Sequence, residues 1–345
     1  MFALTLAELT LLLLVPLAVV AGLLLLLTAR RRTTNDPAAG ARIAVAETAV
    51  AARRHAGVVS ALAWGIALTA PPLVLAPTAL QLMRATRASS LTVGVLTGLA
   101  PASAGLLFLG VHLLGELSWP RPTGTLRRAA LIRRTLGDIV PRRLRAVTLT
   151  WAALLTVTLV TCGIVATDGR SVTRTWPGGA STASPFPGWF YGLPLLLATL
   201  VILAGTLAVL RLVAGRPAVM DTQPAWDLSL RRLSAHRVLR GVQLVIGATT
   251  SGVLAVTSSA AISIGRSGGT DPATVAGALA AVGVALGVLA ALVGVASIAI
   301  ALVPGQPASA PLVADALGDS SRSGGSGRPE PSGRTPHGDR TGQLP

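Results

Sequence analysis

Lysine is missing altogether: all 29 basic residues of the chain are arginine. A retinal or pyridoxal Schiff base needs a lysine amine, as do the Walker P-loop and the standard kinase nucleotide site, so none of these can be built here. Cysteine occurs once, as Cys162 inside an apolar run. That excludes an intramolecular disulfide, a Cys-based zinc site and a Cys-ligated iron–sulfur cluster. Charge is scarce as well. Only 12% of the 345 residues are charged, against roughly 25% in a soluble domain. No HExxH, EF-hand loop or GxGxxG followed by an acid is present, and no cofactor or metal is expected.

What fills the chain instead is apolar sequence: 52% of residues are hydrophobic and the mean hydropathy is +0.68. Seven runs at 9–28, 56–78, 91–117, 146–167, 190–213, 241–264 and 273–303 are each long enough to cross a bilayer. An all-α polytopic membrane protein with seven transmembrane helices follows. The first run has no basic residue before it and Arg30, Arg31 and Arg32 directly after it, so it reads as an anchor and not as a signal peptide.

Arginine placement gives the expected orientation. The connections 29–55, 118–145 and those around 214–240 hold twenty arginines, and the intervening ones hold five: Arg84, Arg87, Arg170, Arg174 and Arg266. The two sets alternate at every crossing, which predicts N-terminus outside and C-terminus inside. Trp176, Trp189, Phe190 and Tyr191 then fit an outer interfacial belt, and Trp119 and Trp151 an inner one. The net charge of +16 is accordingly assigned to topology and to anionic inner-leaflet lipid. No aromatic-interleaved basic fold accompanies it, so no nucleic-acid partner is expected.

A repeat runs through the connections. Residues 138–146 read DIVPRRLRA and residues 227–235 read DLSLRRLSA, with a weaker echo at 47–57. The chain therefore reads as three parallel helical hairpins plus one terminal span. Within the repeat, Asp138, Arg142 and Arg143 in one copy and Asp227, Arg231 and Arg232 in the other form a candidate interface motif. The spacing of four would set each Asp beside its Arg on a helix, with Pro141 as the obstacle in the first copy. Stretches 38–53 and 124–137 read as amphipathic surface helices. Residues 1–303 form the expected bundle; 304–345 are the expected cytoplasmic tail, too rich in Ser, Gly, Pro and Arg beyond 319 to pack a core.

Ionisable groups inside spans are the default functional candidates. His112 and Glu116 stand four apart near the inner end of the third span, about 6 Å along the axis. His55 and His236 lie near the same membrane face, so an intramembrane metal site is one reading. A structural His–Glu hydrogen bond is the favoured one. Gln243, Thr250, Ser251 and Ser258 share one face of the sixth span with Gly247 and form a candidate polar path, or else bond to backbone and neighbouring helices. Gly283 and Gly287, extended by Ala291, have GxxxG spacing for helix packing. These features point first to a non-enzymatic accessory, scaffold or binding subunit of the cell membrane, with a membrane-protein partner or a second copy. A permease or channel for a small neutral solute is the alternative, and an intramembrane metal-dependent enzyme the second alternative.

Overall fold

A computed structural model describes residues 50–69, 90–119, 135–177, 179–217, 224–267 and 273–305. The first span, most of the 38–53 and 124–137 stretches, residues 70–78 of the second span and the tail from 306 onward lie outside the described residues. Those described form seven helices and one small hairpin: α1 (50–69), α2 (Ser90–Leu117), α3 (Leu136–Ile139), α4 (Arg142–Val165), β1 (Val172–Trp176), β2 (Gly179–Ala183), α5 (Trp189–Gly215), α6 (Pro224–Arg266) and α7 (Ala273–Leu302). Five of them (α2, α4, α5, α6 and α7) are long and apolar enough to cross a membrane. The protein is multi-pass by helix length and hydropathy.

α6 is the hub, packed against α2, α4, α5 and α7. Its 43 residues rise about 65 Å, twice the roughly 30 Å of bilayer hydrocarbon. The helix thus begins at Pro224, well before the apolar run at 241–264. Proline suits this first position, where its missing N–H would have had no partner. Most of the 214–240 connection, read from sequence as loop, is therefore helix. α2 and α4 do not pack extensively on each other; α2 lies on α5 and α4 on α6.

Bulky side chains fill the centre. Phe108, Leu155, Ile202, Val242 and Ile246 are almost wholly buried. Outward faces carry exposed Leu, Val and Ile, among them Val157 and Ile164 on α4, Leu200 on α5 and Leu292 and Val295 on α7. In a soluble protein such faces would aggregate; on helices of this length they meet lipid.

The α6–α7 seam is built from small residues. A Cβ at Gly283 would stand 2.6 Å from Ile262 Cγ1, and one at Gly287 2.9 Å from Ser258 Oγ. The seam continues through Ala290, Gly294 and Ser297, whereas Ala291 is exposed. Extension of GxxxG by four residues to Ala291 is thus corrected. Spacings alternate three and four from Gly283 to Ser297, the 3.5-residue period of helices wrapped about one another.

The connection between α4 and α5 contains the β-hairpin, which the helical reading did not foresee. Val172 pairs with Ala183 and Trp176 with Gly179 in antiparallel register. Asp168 organises its entry, accepting from the backbone N–H groups of Arg170 and Ser171 at 3.0 and 2.7 Å. Gly169 takes the left-handed conformation this turn requires, φ +78°.

Candidate functional site

The polar residues of interest gather at the end of the bundle where α1, α4 and α6 begin and α5 stops. Arg231, completely buried, is its keystone. The Nε donates to Asp227 Oδ2 at 2.8 Å, and Nη2 reaches Asp227 Oδ1 at 3.4 Å and the Arg216 carbonyl at 2.7 Å. Nη1 serves the Val213 and Ala214 carbonyls, both at 2.8 Å. All five guanidinium N–H groups are thereby used. The three carbonyls belong to the last turn and cap of α5, where a helix has none of its own donors left. One arginine therefore closes α5, and the i,i+4 pairing with Asp227 neutralises it on its own helix.

The first copy of the repeat behaves otherwise. Proline disfavours helix at the preceding residue, and Val140 is accordingly extended (φ −87°, ψ 119°). The helix breaks there, so Asp138 and Arg142 fall on separate elements, α3 and α4, and the expected side-by-side arrangement in this copy is corrected. Asp138 turns back instead, accepting from the Thr135 N–H at 2.9 Å and the Thr135 hydroxyl at 2.8 Å. The backbone donor from Thr135, and then its hydroxyl, hold this exposed carboxyl below its ordinary range. Arg142 and Arg143 are exposed. The two copies also meet: Arg232 Nε donates to the Asp138 carbonyl at 2.8 Å.

Next to Arg231 lies a second buried charge pair. Arg216 Nη1 stands 3.6 Å from Glu116 Oε1, with side chains 2% and 9% exposed. The Arg216 guanidinium covers the Trp119 ring at 4.0 Å, and the His55 ring meets Trp119 edge-on with centroids 5.4 Å apart. His55 Nε2 lies 2.9 Å from the Gly115 carbonyl, and Arg237 Nη1 donates to the Ala56 carbonyl at 2.9 Å, so α1 is tied to both α2 and α6. His112, one turn further along α2, packs its ring on Phe108 at 4.6 Å.

The His112–Glu116 hydrogen bond expected from sequence is not among the contacts made. Nε2 of His112 and Oε2 of Glu116 are buried without a protein partner. Both line a cavity of about 10 Å³ together with His55, Ser234 and Arg237. His236 is not part of its lining. Among the described residues no three of His, Cys, Asp and Glu come together as metal ligands.

The hydroxyl face of α6 is engaged with backbone. Ser251 donates to the Ala290 carbonyl at 2.8 Å and Ser258 to the Gly283 carbonyl at 2.6 Å, both on α7. Gln243 Nε2 donates to the Ser297 carbonyl at 2.9 Å, while Thr250 bonds Ile246 of its own helix at 2.8 Å and Trp151 of α4 at 3.3 Å. At the hairpin end, a larger apolar cavity of about 490 Å³ lies among α2, α5 and α6, bordered by Gly98, Tyr191 and Gly252.

Comparison with family models, curated proteins and solved structures finds no match to this chain. Spacing in the sequence points to Glu116 but not to Arg216, whose only signal is a lone arginine just after an apolar run, nor to a buried role for Trp119, whose position suggests an interfacial anchor.

Proposed function

We propose that this chain is a non-catalytic accessory or scaffold subunit of the cytoplasmic membrane, working through the arginine-rich end of its bundle. In this reading the N-terminus is outside, that end faces the cytoplasm, and three parallel hairpins precede a terminal span. The observation that carries it is a division of labour among arginines. Arg216 and Arg231 are buried and bound within the fold, whereas Arg54, Arg142, Arg143 and Arg145 stand exposed around the starts of α1 and α4, beside Arg53 and Arg232, which are exposed but also engage Trp226 and the Asp138 carbonyl. Such a cluster attracts anionic headgroups by about 1 kcal/mol per residue near the surface, and equally suits an acidic segment of a membrane-protein partner. The permease reading has less support, because Ser251, Ser258 and Gln243 donate to helix carbonyls. The enzyme reading has less still, since the buried carboxylates at this end, Glu116 and Asp227, are each set against an arginine.

Two experiments test it. Cysteine labelling at Ala180 and at Arg143 should report opposite sides of the membrane; the same side would refute the orientation. Flotation of the purified protein against soluble acidic peptide, and partner recovery in mild detergent, should both weaken on replacing Arg142, Arg143 and Arg145 by Glu, with the melt unchanged. Unaltered association in the triple variant would refute the role of this face.

A further inference from the structure

The His112–Glu116 region holds two buried polar atoms that the protein itself leaves unanswered, His112 Nε2 and Glu116 Oε2. An unpaired buried donor or acceptor is costly, and in folded proteins such groups are nearly always matched by protein or by ordered water. The atoms belong to residues that line one cavity of about 10 Å³, in the joint between α1, α2 and α6. We propose that this cavity is a binding site for a single water molecule, which bridges His112 to Glu116 across the joint.

Size, polarity and charge each select that ligand. The volume is about one water-sized sphere, the smallest that holds a water, and leaves no room for phosphate, a carboxylate or a hydrated metal. A buried water needs two to four polar partners. The lining residues carry the unpaired His112 ring nitrogen, the unpaired Glu116 oxygen and the Ser234 hydroxyl, which donates to the Leu230 carbonyl at 3.2 Å, accepts from Arg216 Nη1 at 3.5 Å and retains one further lone pair. A bare cation would face the Arg237 guanidinium in the lining and Arg216 on the same carboxylate; an anion would face Glu116 itself. A neutral molecule that both donates and accepts avoids both repulsions.

The site explains why the expected direct bond is absent. Glu116 commits one oxygen to Arg216, at 3.6 Å, and its other oxygen is buried without a protein partner on a residue that lines the cavity. Water then completes a chain from His112 through Glu116 and Arg216 to the end of α5. His112 and Glu116 are thereby positioning residues that join α2 to its neighbours through solvent.

The test is density for the full wild-type chain in a lipid nanodisc at a resolution that shows ordered water. One peak of water strength within hydrogen-bond distance of both His112 Nε2 and Glu116 Oε2 is expected. Direct contact between the two side chains, an empty cavity, or a stronger peak with metal-like ligand distances would overturn the proposal. Hydroxyl-radical footprinting gives a second readout, since bound water feeds oxidation of the groups it touches. His112, though 95% shielded (5% exposed), should label at a rate several-fold above that of Phe108 in the same helix. The isosteric Glu116→Gln should keep the label, and Glu116→Leu, which fills the space, should lower it several-fold; equal labelling of wild type and Glu116→Leu would overturn the site.

Discussion

The two copies of the repeat carry the same Asp, Arg-Arg, Leu and Ala, yet they end in opposite environments. Arg231 is completely buried and closes the end of α5, while its counterpart Arg142 is exposed. The difference begins at one position, Leu230 against Pro141, and is completed by the end of α5, whose carbonyls take up Arg231. Leu230, 1% exposed, lets α6 run unbroken through the motif, so Asp227 stands one turn before Arg231 and receives its Nε. Pro141 stops the helix, and Asp138 is spent on Thr135. Sequence identity in a short motif fixes which partners are on offer; the backbone decides whether they meet.

The largest effects should come from breaking the buried copy. Arg231→Ala leaves Asp227 without its main partner and strips three carbonyls, and loss of one member of a buried pair typically costs about 3–5 kcal/mol. Unfolding in detergent should show a drop of that order. Replacing Asp227 and Arg231 together by Leu and Met should recover part of it, because no orphan charge remains although the three α5 carbonyls stay uncapped. Leu230→Pro, which imposes the first copy's break on the second, should cost about 3 kcal/mol or more.

The α6–α7 seam should respond less, and asymmetrically. Gly283→Leu overpacks against Ile262 and should cost about 1–3 kcal/mol, whereas Ala291→Leu, on the exposed face, should change the melt by under about 0.5 kcal/mol. Equal losses would mean that α7 uses a different face. Removing the Ser258 hydroxyl should cost about 1 kcal/mol, in line with a single interhelical hydrogen bond.

Smallest are effects at exposed carboxylates. The backbone N–H of Arg170, followed by the Ser171 hydroxyl, lowers Asp168 from 3.8 to about 2. A depressed folded-state value means that its contribution is fully present above pH 3.8 and is lost as pH falls through about 2. Protection factors of the Arg170 and Ser171 amides, taken against the intrinsic exchange rate at each pH, should therefore fall as pH drops between those values and stay flat above them. Asp168→Asn should abolish the step; a step that persists would assign it elsewhere.

Much of this was legible in the sequence, for reasons that differ by scale. Apolar runs report membrane-crossing helices because hydrocarbon imposes one requirement on every residue, and the runs from 146, 190 and 273 match α4, α5 and α7 within a few residues. Helix beyond the hydrocarbon has no such signature, so nothing in the sequence marks the first four turns of α6 as helix. Pro141 was visible as an obstacle, but its consequence, a buried Arg231 against an exposed Arg142, depended on where α5 ends. The Gly283–Gly287 spacing located the seam; its 3.5-residue continuation to Ala290 emerged only with α6 as a partner. The hairpin at 172–183 hid in a polar connection without a clear alternation of apolar residues.

The most direct measurement is a pair of double-mutant cycles in detergent unfolding, Asp227/Arg231 beside Asp138/Arg142, each residue changed to Ala singly and together. The account expects coupling of about 1–3 kcal/mol in the first cycle, as for residues within one hydrogen-bonded network, and none beyond error in the second. Equal coupling in the two cycles, or none in either, would contradict it.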